Sequence, residues 1–138
     1  MVSRLNVSAY GGSSPQAAIS GSKIGGGPIY DKADLLKLIE CSNSIRLWTK
    51  KCIKDVQRHD LDVPAVAVLL RGAVTKGRFL GSEWCESKPG GPVAACDAYS
   101  FRKMEWNDAA KKDLLVEYYL KFAIAKTGTI VLVISCHV

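Results

Sequence analysis

The run VEYYLKFAIAKTGTIVLVISCHV, residues 116–138, decides how this chain folds. Its first half alternates. Val116, Tyr118, Leu120, Phe122 and Ile124 fall on one side of an extended strand, and Glu117, Tyr119 and Lys121 on the other, because successive side chains switch faces. The second half is apolar almost throughout. Ile130, Leu132, Ile134, Cys136 and Val138 form one set, and Val131, Val133, Ser135 and His137 form the other. Thr127-Gly128 between the halves predicts a hairpin turn. Two apolar sets that must meet one core fix the register by parity, since a one-residue slip turns a whole set to solvent. With the set Ile130 to Val138 facing the core, the connection must be odd in length, and a three-residue turn with Gly128 in the left-handed region supplies it. Glu117, Tyr119, Lys121, Ser135 and His137 then share the face away from the core.

Upstream the period is helical. Asp31 predicts an N-cap, with Asp34 in the first turn and Leu35, Leu36, Leu38 and Ile39 following. A second helix is predicted from Ser44, with Ile45, Trp48, Cys52 and Val56 as its buried stripe. Arg46, Lys50, Lys54 and Arg58 share the same spacing and line its outer side. Asp62 caps a third helix with Pro64 in its first turn, where the missing N–H costs nothing. Val66, Val68, Leu69 and Leu70 make that helix apolar nearly all round, and Gly72 is read as its stop. After Gly77 the period becomes 2. Strands are predicted at 78–86 and 93–104, split by the loop KPGGP at 88–92, and a polar turn follows at 107–113. Helices followed by strands define an α+β class, with N-terminal helices packed on one face of a C-terminal antiparallel sheet. Residues 11–27 are rich in glycine and serine, so residues 1–27 read as a tail and the domain is placed at 28–138. The stretch 4–10 alternates weakly, in the manner of an edge strand.

The chain has 138 residues, the length of one domain. Its 48% apolar and 23% charged content excludes a disordered chain. Nineteen Lys+Arg against 13 Asp+Glu leave a net charge of +6 and make a polyanion the first partner to consider. No apolar run approaches the ~20 residues of a membrane helix. The first residues lack the apolar centre of a secretory signal, so no membrane partner and a cytoplasmic location are expected. Five cysteines without a CxxC, beside two histidines, argue against a disulfide framework or a structural zinc site. No Walker loop, GxGxxG, HExxH or GxSxG occurs, and no metal or cofactor is expected.

The hairpin face carries the chemistry. An imidazole, a phenol, an ammonium and a carboxylate converge there on a basic protein. RNA cleavage without metal needs a base for the 2′-hydroxyl, an acid for the leaving oxygen and donors for the phosphorane. His137 can fill either proton role. Lys121 or Arg102 can stabilise the phosphate, and Tyr119 can donate a proton or stack on a base. Glu83 would face the site if strand 78–86 borders the hairpin. The bland alternative is the polar outer face of a half-exposed sheet. The face formed by Arg46, Lys50, Lys54 and Arg58 is either a solvated surface or a rail for RNA phosphates or an acidic partner.

The run EYYLKFAIAKTGTIVLVISCHV resembles the closing hairpin of MqsR-type toxins, bacterial mRNA interferases of the RelE-like superfamily. DKADLLKLIE resembles their opening helix, HDLDVPAVAVLL the buried helix, RFLGSEW the following strand and ACDAY the Asp-x-Tyr motif, in the same order over residues 30–138. The resemblance implies a RelE-like α+β toxin that cuts mRNA without metal and is neutralised by an antitoxin protein. Tyr119 matches a tyrosine of the family's site. Three positions depart from the pattern: Gly81 and His137 stand where a lysine is expected, and Cys96 where a glutamine is expected. His137 replaces lysine as the proton-transfer group on this reading. The alternative is a divergent member that binds RNA or a partner without cutting.

Overall fold

Residues 5–11 and 21–138 are described by the structure, a computed structural model. Their elements run β1 (Lys23–Ile24), α1 (Lys32–Ile39), β2 (Ile45–Leu47), α2 (Lys50–Arg58), α3 (Val63–Lys76), β3 (Arg78–Glu86), β4 (Val93–Asn107), β5 (Lys112–Ile124) and β6 (Val131–His137). Each helix begins at a side chain that accepts an orphaned backbone N–H. Asp31 accepts from Asp34 N at 3.3 Å, Thr49 from Cys52 N at 3.0 Å and Asp62 from Ala65 N at 2.8 Å.

Two helix boundaries differ from the sequence reading. The second helix starts at Lys50, not Ser44. Ile45-Arg46-Leu47 alternates apolar, polar, apolar, and this short period wins: the three residues form β2 beside Val131, Leu132 and Val133. Arg46 therefore lies on a strand, off the helical face of Lys50, Lys54 and Arg58. The third helix runs through Gly72 to Lys76 and stops at Gly77, whose N–H bonds the carbonyls of Gly72 and Ala73 at 3.0 Å. Gly72 is small for a different reason. A Cβ there would overlap the Phe101 ring.

The strands form one open sheet in the order β1-β3-β4-β5-β6-β2. It is mixed rather than antiparallel, because β2 runs parallel to β6. Neighbours along the rest of the order are antiparallel. Leu35, Ile39, Cys52, Val56, Val66, Leu69, Leu70 and Ala73 from the helices share one buried cluster with Tyr99, Leu120, Phe122, Val131, Val133 and Cys136 from the sheet.

The described parts of residues 1–27 belong to this sheet, which corrects the tail and the boundary at 28. β4 and β5 pair only from Asp97 opposite Phe122 onward. Where they diverge, residues 5–9 fill the wedge. Val7 N–H donates to Val93 O at 2.9 Å, Lys126 N–H to Val7 O at 2.8 Å and Ala9 N–H to Ile124 O at 2.8 Å. The segment is interior, not an edge strand. β1 adds to the edge at β3, with Lys23 opposite Glu83. Residues 12–20, which hold much of the glycine–serine stretch, lie outside the described residues.

The closing hairpin satisfies parity by another route than an odd turn. Ala125 N–H bonds Ile130 O at 2.8 Å, so four residues connect the strands. Gly128 is left-handed as expected, with φ +77°. An even connection sets Ile124 opposite Val131 and Phe122 opposite Val133, so Val131 and Val133 share the face of Ile124 and Phe122, while Leu132, opposite Ala123, is buried on the other side. The register then shifts. Lys121 pairs with Ser135 and Tyr119 with His137, leaving Ile134 unopposed in a bulge. Cys136 returns to the core face by this extra residue, and its side chain is fully buried. The Thr49 hydroxyl donates to the bulged Ile134 carbonyl at 2.8 Å while it caps α2.

Gly72→Ala tests packing against propensity. Alanine favours a helix by about 1 kcal/mol, but displacing the Phe101 ring costs about 1–3 kcal/mol. The variant is expected to be less stable in urea titration. Thr49→Val keeps the shape and deletes both bonds of the hydroxyl. A loss of about 2–3 kcal/mol is expected in the same assay, from a lost cap and an unsatisfied carbonyl.

Candidate functional site

Register alone aligns one row of residues across four strands. Arg78 pairs with Ser100, Ser100 with Tyr119 and Tyr119 with His137. Directly paired residues project to the same side, here the face opposite Leu120 and Phe122. Tyr119 and His137 stack at 5.2 Å between ring centroids with 24° between planes. The Lys121 ammonium lies 5.7 Å from the Tyr119 ring centre. The structure thus brings together Tyr119, Lys121, Ser135 and His137 as expected from alternation.

Lys121 is not a free cation. Its Nζ lies 2.7 Å from Glu83 Oε1, and both side chains are largely buried. Lys121 sits on β5 and Glu83 on β3, so the pair spans β4. The residues beneath it are small: Ala98 opposite Lys121 and Cys96 opposite Glu83. Burial opposes the charge on Lys121, but the Glu83 hydrogen bond and the neighbouring Cys85 and Tyr119 outweigh it and hold the ammonium above its ordinary range. Burial likewise raises the Glu83 carboxyl, and the bond from Lys121, helped by Lys23 at 3.5 Å, more than reverses it.

Arg102 is also paired. Its Nε lies 2.9 Å from Glu117 Oε2, and the Ser100 hydroxyl donates to Glu117 Oε1 at 3.1 Å. The Arg102 bond holds the exposed Glu117 carboxyl below the usual range, with Ser100 second.

The remaining sequence-predicted cations are scattered. Arg46 donates to the Asn43 and Ile45 carbonyls at 2.7 and 3.2 Å. On α2, Lys50 and Lys54 are exposed, while Arg58 lies 3.8 Å from Asp55. Asp55 itself is buried, with Lys51 at 2.8 Å. The Lys51 bond holds the Asp55 carboxyl below its usual range despite burial, and His137 contributes in the same direction, so the imidazole lies within electrostatic reach of Asp55.

Two of the three departures from the resemblance also lie near this face. Gly81 pairs with Ala98 at a bulge, with φ +147° and open space where a side chain would project. Cys96 is fully buried, and burial pushes its thiol up. Asp97, next in the Asp-x-Tyr motif, is structural. It accepts from the backbone N–H groups of Ile29 and Tyr30 at 3.1 Å and from the Ser82 hydroxyl at 2.6 Å.

Arg78, Ser100 and Asp55 were not legible as site residues. The only signal for Arg78 and Ser100 is pairing across β3 and β4. Asp55 resembles an ordinary helix-surface acid until α2 is packed beside β6. No family model, curated protein or solved structure matches the chain.

Glu83→Gln leaves Lys121 without its counter-charge and is expected to cost about 2 kcal/mol near neutral pH. Glu83 is depressed in the fold, so its contribution is present above the unfolded carboxylate value of about 4.3 and fades as pH falls through the folded value. Denaturation at a series of pH values should therefore show the gap between wild type and Glu83→Gln closing in acid.

Proposed function

We propose that this protein is a metal-independent endoribonuclease, an mRNA interferase toxin of the MqsR-like, RelE-like kind, acting in the cytoplasm and neutralised by an antitoxin protein. The observation that carries the reading is the stacked Tyr119–His137 pair, set beside Lys121 on the sheet face opposite the core. The RelE-like arrangement, with helices on one sheet face, is supported by the single cluster that joins all three helices to Leu120, Phe122, Val133 and Cys136.

In this mechanism RNA is its own nucleophile. His137 takes the 2′-hydroxyl proton as the 2′-oxygen bonds phosphorus. The P–O5′ bond breaks, and a proton from the Tyr119 hydroxyl reaches the leaving oxygen. Lys121, held by Glu83, faces the extra charge of the phosphorane. The products are a 2′,3′-cyclic phosphate and a 5′-hydroxyl.

A second reading is supported by the ion pairs. Lys121 is committed to Glu83 and Arg102 to Glu117, which suits a face that binds RNA or a protein partner without cutting. The products decide between them. Purified protein incubated with RNA in EDTA should yield 2′,3′-cyclic ends, and His137→Ala should slow this by about 100-fold or more with an unchanged circular dichroism spectrum. Wild-type rates from that variant would overturn the assignment. RNA retained without products would select the binding reading.

A further inference from the structure

β3 begins at Arg78, opposite Ser100, while β4 and β5 continue past that point as a two-stranded ribbon. The step leaves a notch beside β4. The last turn of α3 delivers Lys76 and Gly77 into it. The result is a cleft of about 410 Å³ lined by Lys76, Gly77, Arg78, Ser100, Phe101, Arg102 and Glu117. That volume falls in the range of small-ligand sites and far exceeds a single water or ion.

Its charge is one-sided. Three cations meet one carboxylate, and that carboxylate is occupied by Arg102 and Ser100. Among the described residues no carboxylate lies within salt-bridge distance of Lys76 or Arg78. Both side chains belong to exposed residues. The end of α3 carries the negative pole of the helix dipole, which opposes an anion, so the pull must come from the side chains.

We infer that this notch is a phosphate subsite for RNA, which holds a backbone phosphate next to the one that reacts. This rests on the RNA reading above and adds where the strand lies. Arg78 is two strands from Tyr119, about 10 Å at the usual strand spacing, in the same cross-strand row as Tyr119 and His137. A phosphate centred in the notch is too far for the His137 imidazole, so it is a neighbour and not the scissile group. The strand therefore crosses the sheet along the row, over Ser100. The notch adds Lys76 and Arg78, which sit outside the short ion pairs of Lys121 and Arg102, although Arg78 still feels Glu117.

Binding of a fluorescent, single-stranded 2′-O-methyl RNA, which lacks the nucleophile, separates attachment from cleavage. Anisotropy titrations over a salt series would compare wild type with the double variant Lys76→Ala/Arg78→Ala. Loss of the one phosphate contact should make the slope of log K against log salt shallower by about 0.7 and weaken binding about tenfold near physiological salt. The charge-preserving pair Lys76→Arg/Arg78→Lys should restore both. An alanine variant that binds with wild-type affinity and slope overturns the subsite and leaves the RNA reading intact. A loss carried instead by Lys50→Ala/Lys54→Ala overturns it too, in favour of α2. Failure of the wild-type protein to bind the RNA overturns both.

Discussion

The Thr49 hydroxyl joins the two halves of the molecule. It caps α2 through Cys52 N and donates to the carbonyl of Ile134, the residue that the β5–β6 ladder leaves unopposed. The bulge at Ile134 is what allows Val131, Val133 and Cys136 all to enter the core although Cys136 stands at an odd sequence offset from each of the other two. The same extra residue turns Ser135 and His137 to the opposite side. Without it, either Cys136 or the valines would face away from the core, and His137 would not meet Tyr119. Packing, helix start and site geometry thus pass through one side chain.

The site face is organised by neutralisation. Glu83 takes Lys121 and Lys23; Glu117 takes Arg102 and the Ser100 hydroxyl; Asp55 takes Lys51 and Arg58. These pairs are already subtracted in the net charge of +6, so the excess is carried by cations outside them. The small residues of β4 make this possible. Had Ala98 or Cys96 been large, the Lys121 and Glu83 side chains could not meet across the strand between them. Lys76 and Arg78, outside these short ion pairs, meet in the notch at the end of α3, where strand β3 starts late.

Much of this was legible in the sequence, where local physics decides. The caps at Asp31 and Asp62, the loop at 88–92 and the sharing of one face by Tyr119, Lys121 and His137 follow from rules spanning a few residues. The failures have a common cause in long-range pairing. Ile45 and Trp48 fit a helical stripe, but Ile45 and Leu47 fit a strand equally well, and only the free edge of β6 chooses. Gly72 looks like a stop until Phe101, nearly thirty residues on, needs the space. Parity demanded one correction in the hairpin; the turn and the strand were equally able to supply it, and Thr49 favours the strand. The segment 5–9 is short and weakly alternating, and only the divergence of β4 and β5 gives it a place.

The lock at Thr49 has a kinetic meaning as well. The two bonded groups are 85 residues apart in the chain. Closing a flexible loop of that length costs about 4 kcal/mol in entropy before any constant is added, several times the net return of one hydrogen bond. The contact cannot nucleate folding. It can form only after α2 and β6 are already held together by Cys52, Val56, Val133 and Cys136. The facing of His137 is therefore set when Val133 and Cys136 both enter the core, and the Thr49 bond secures an alignment already chosen.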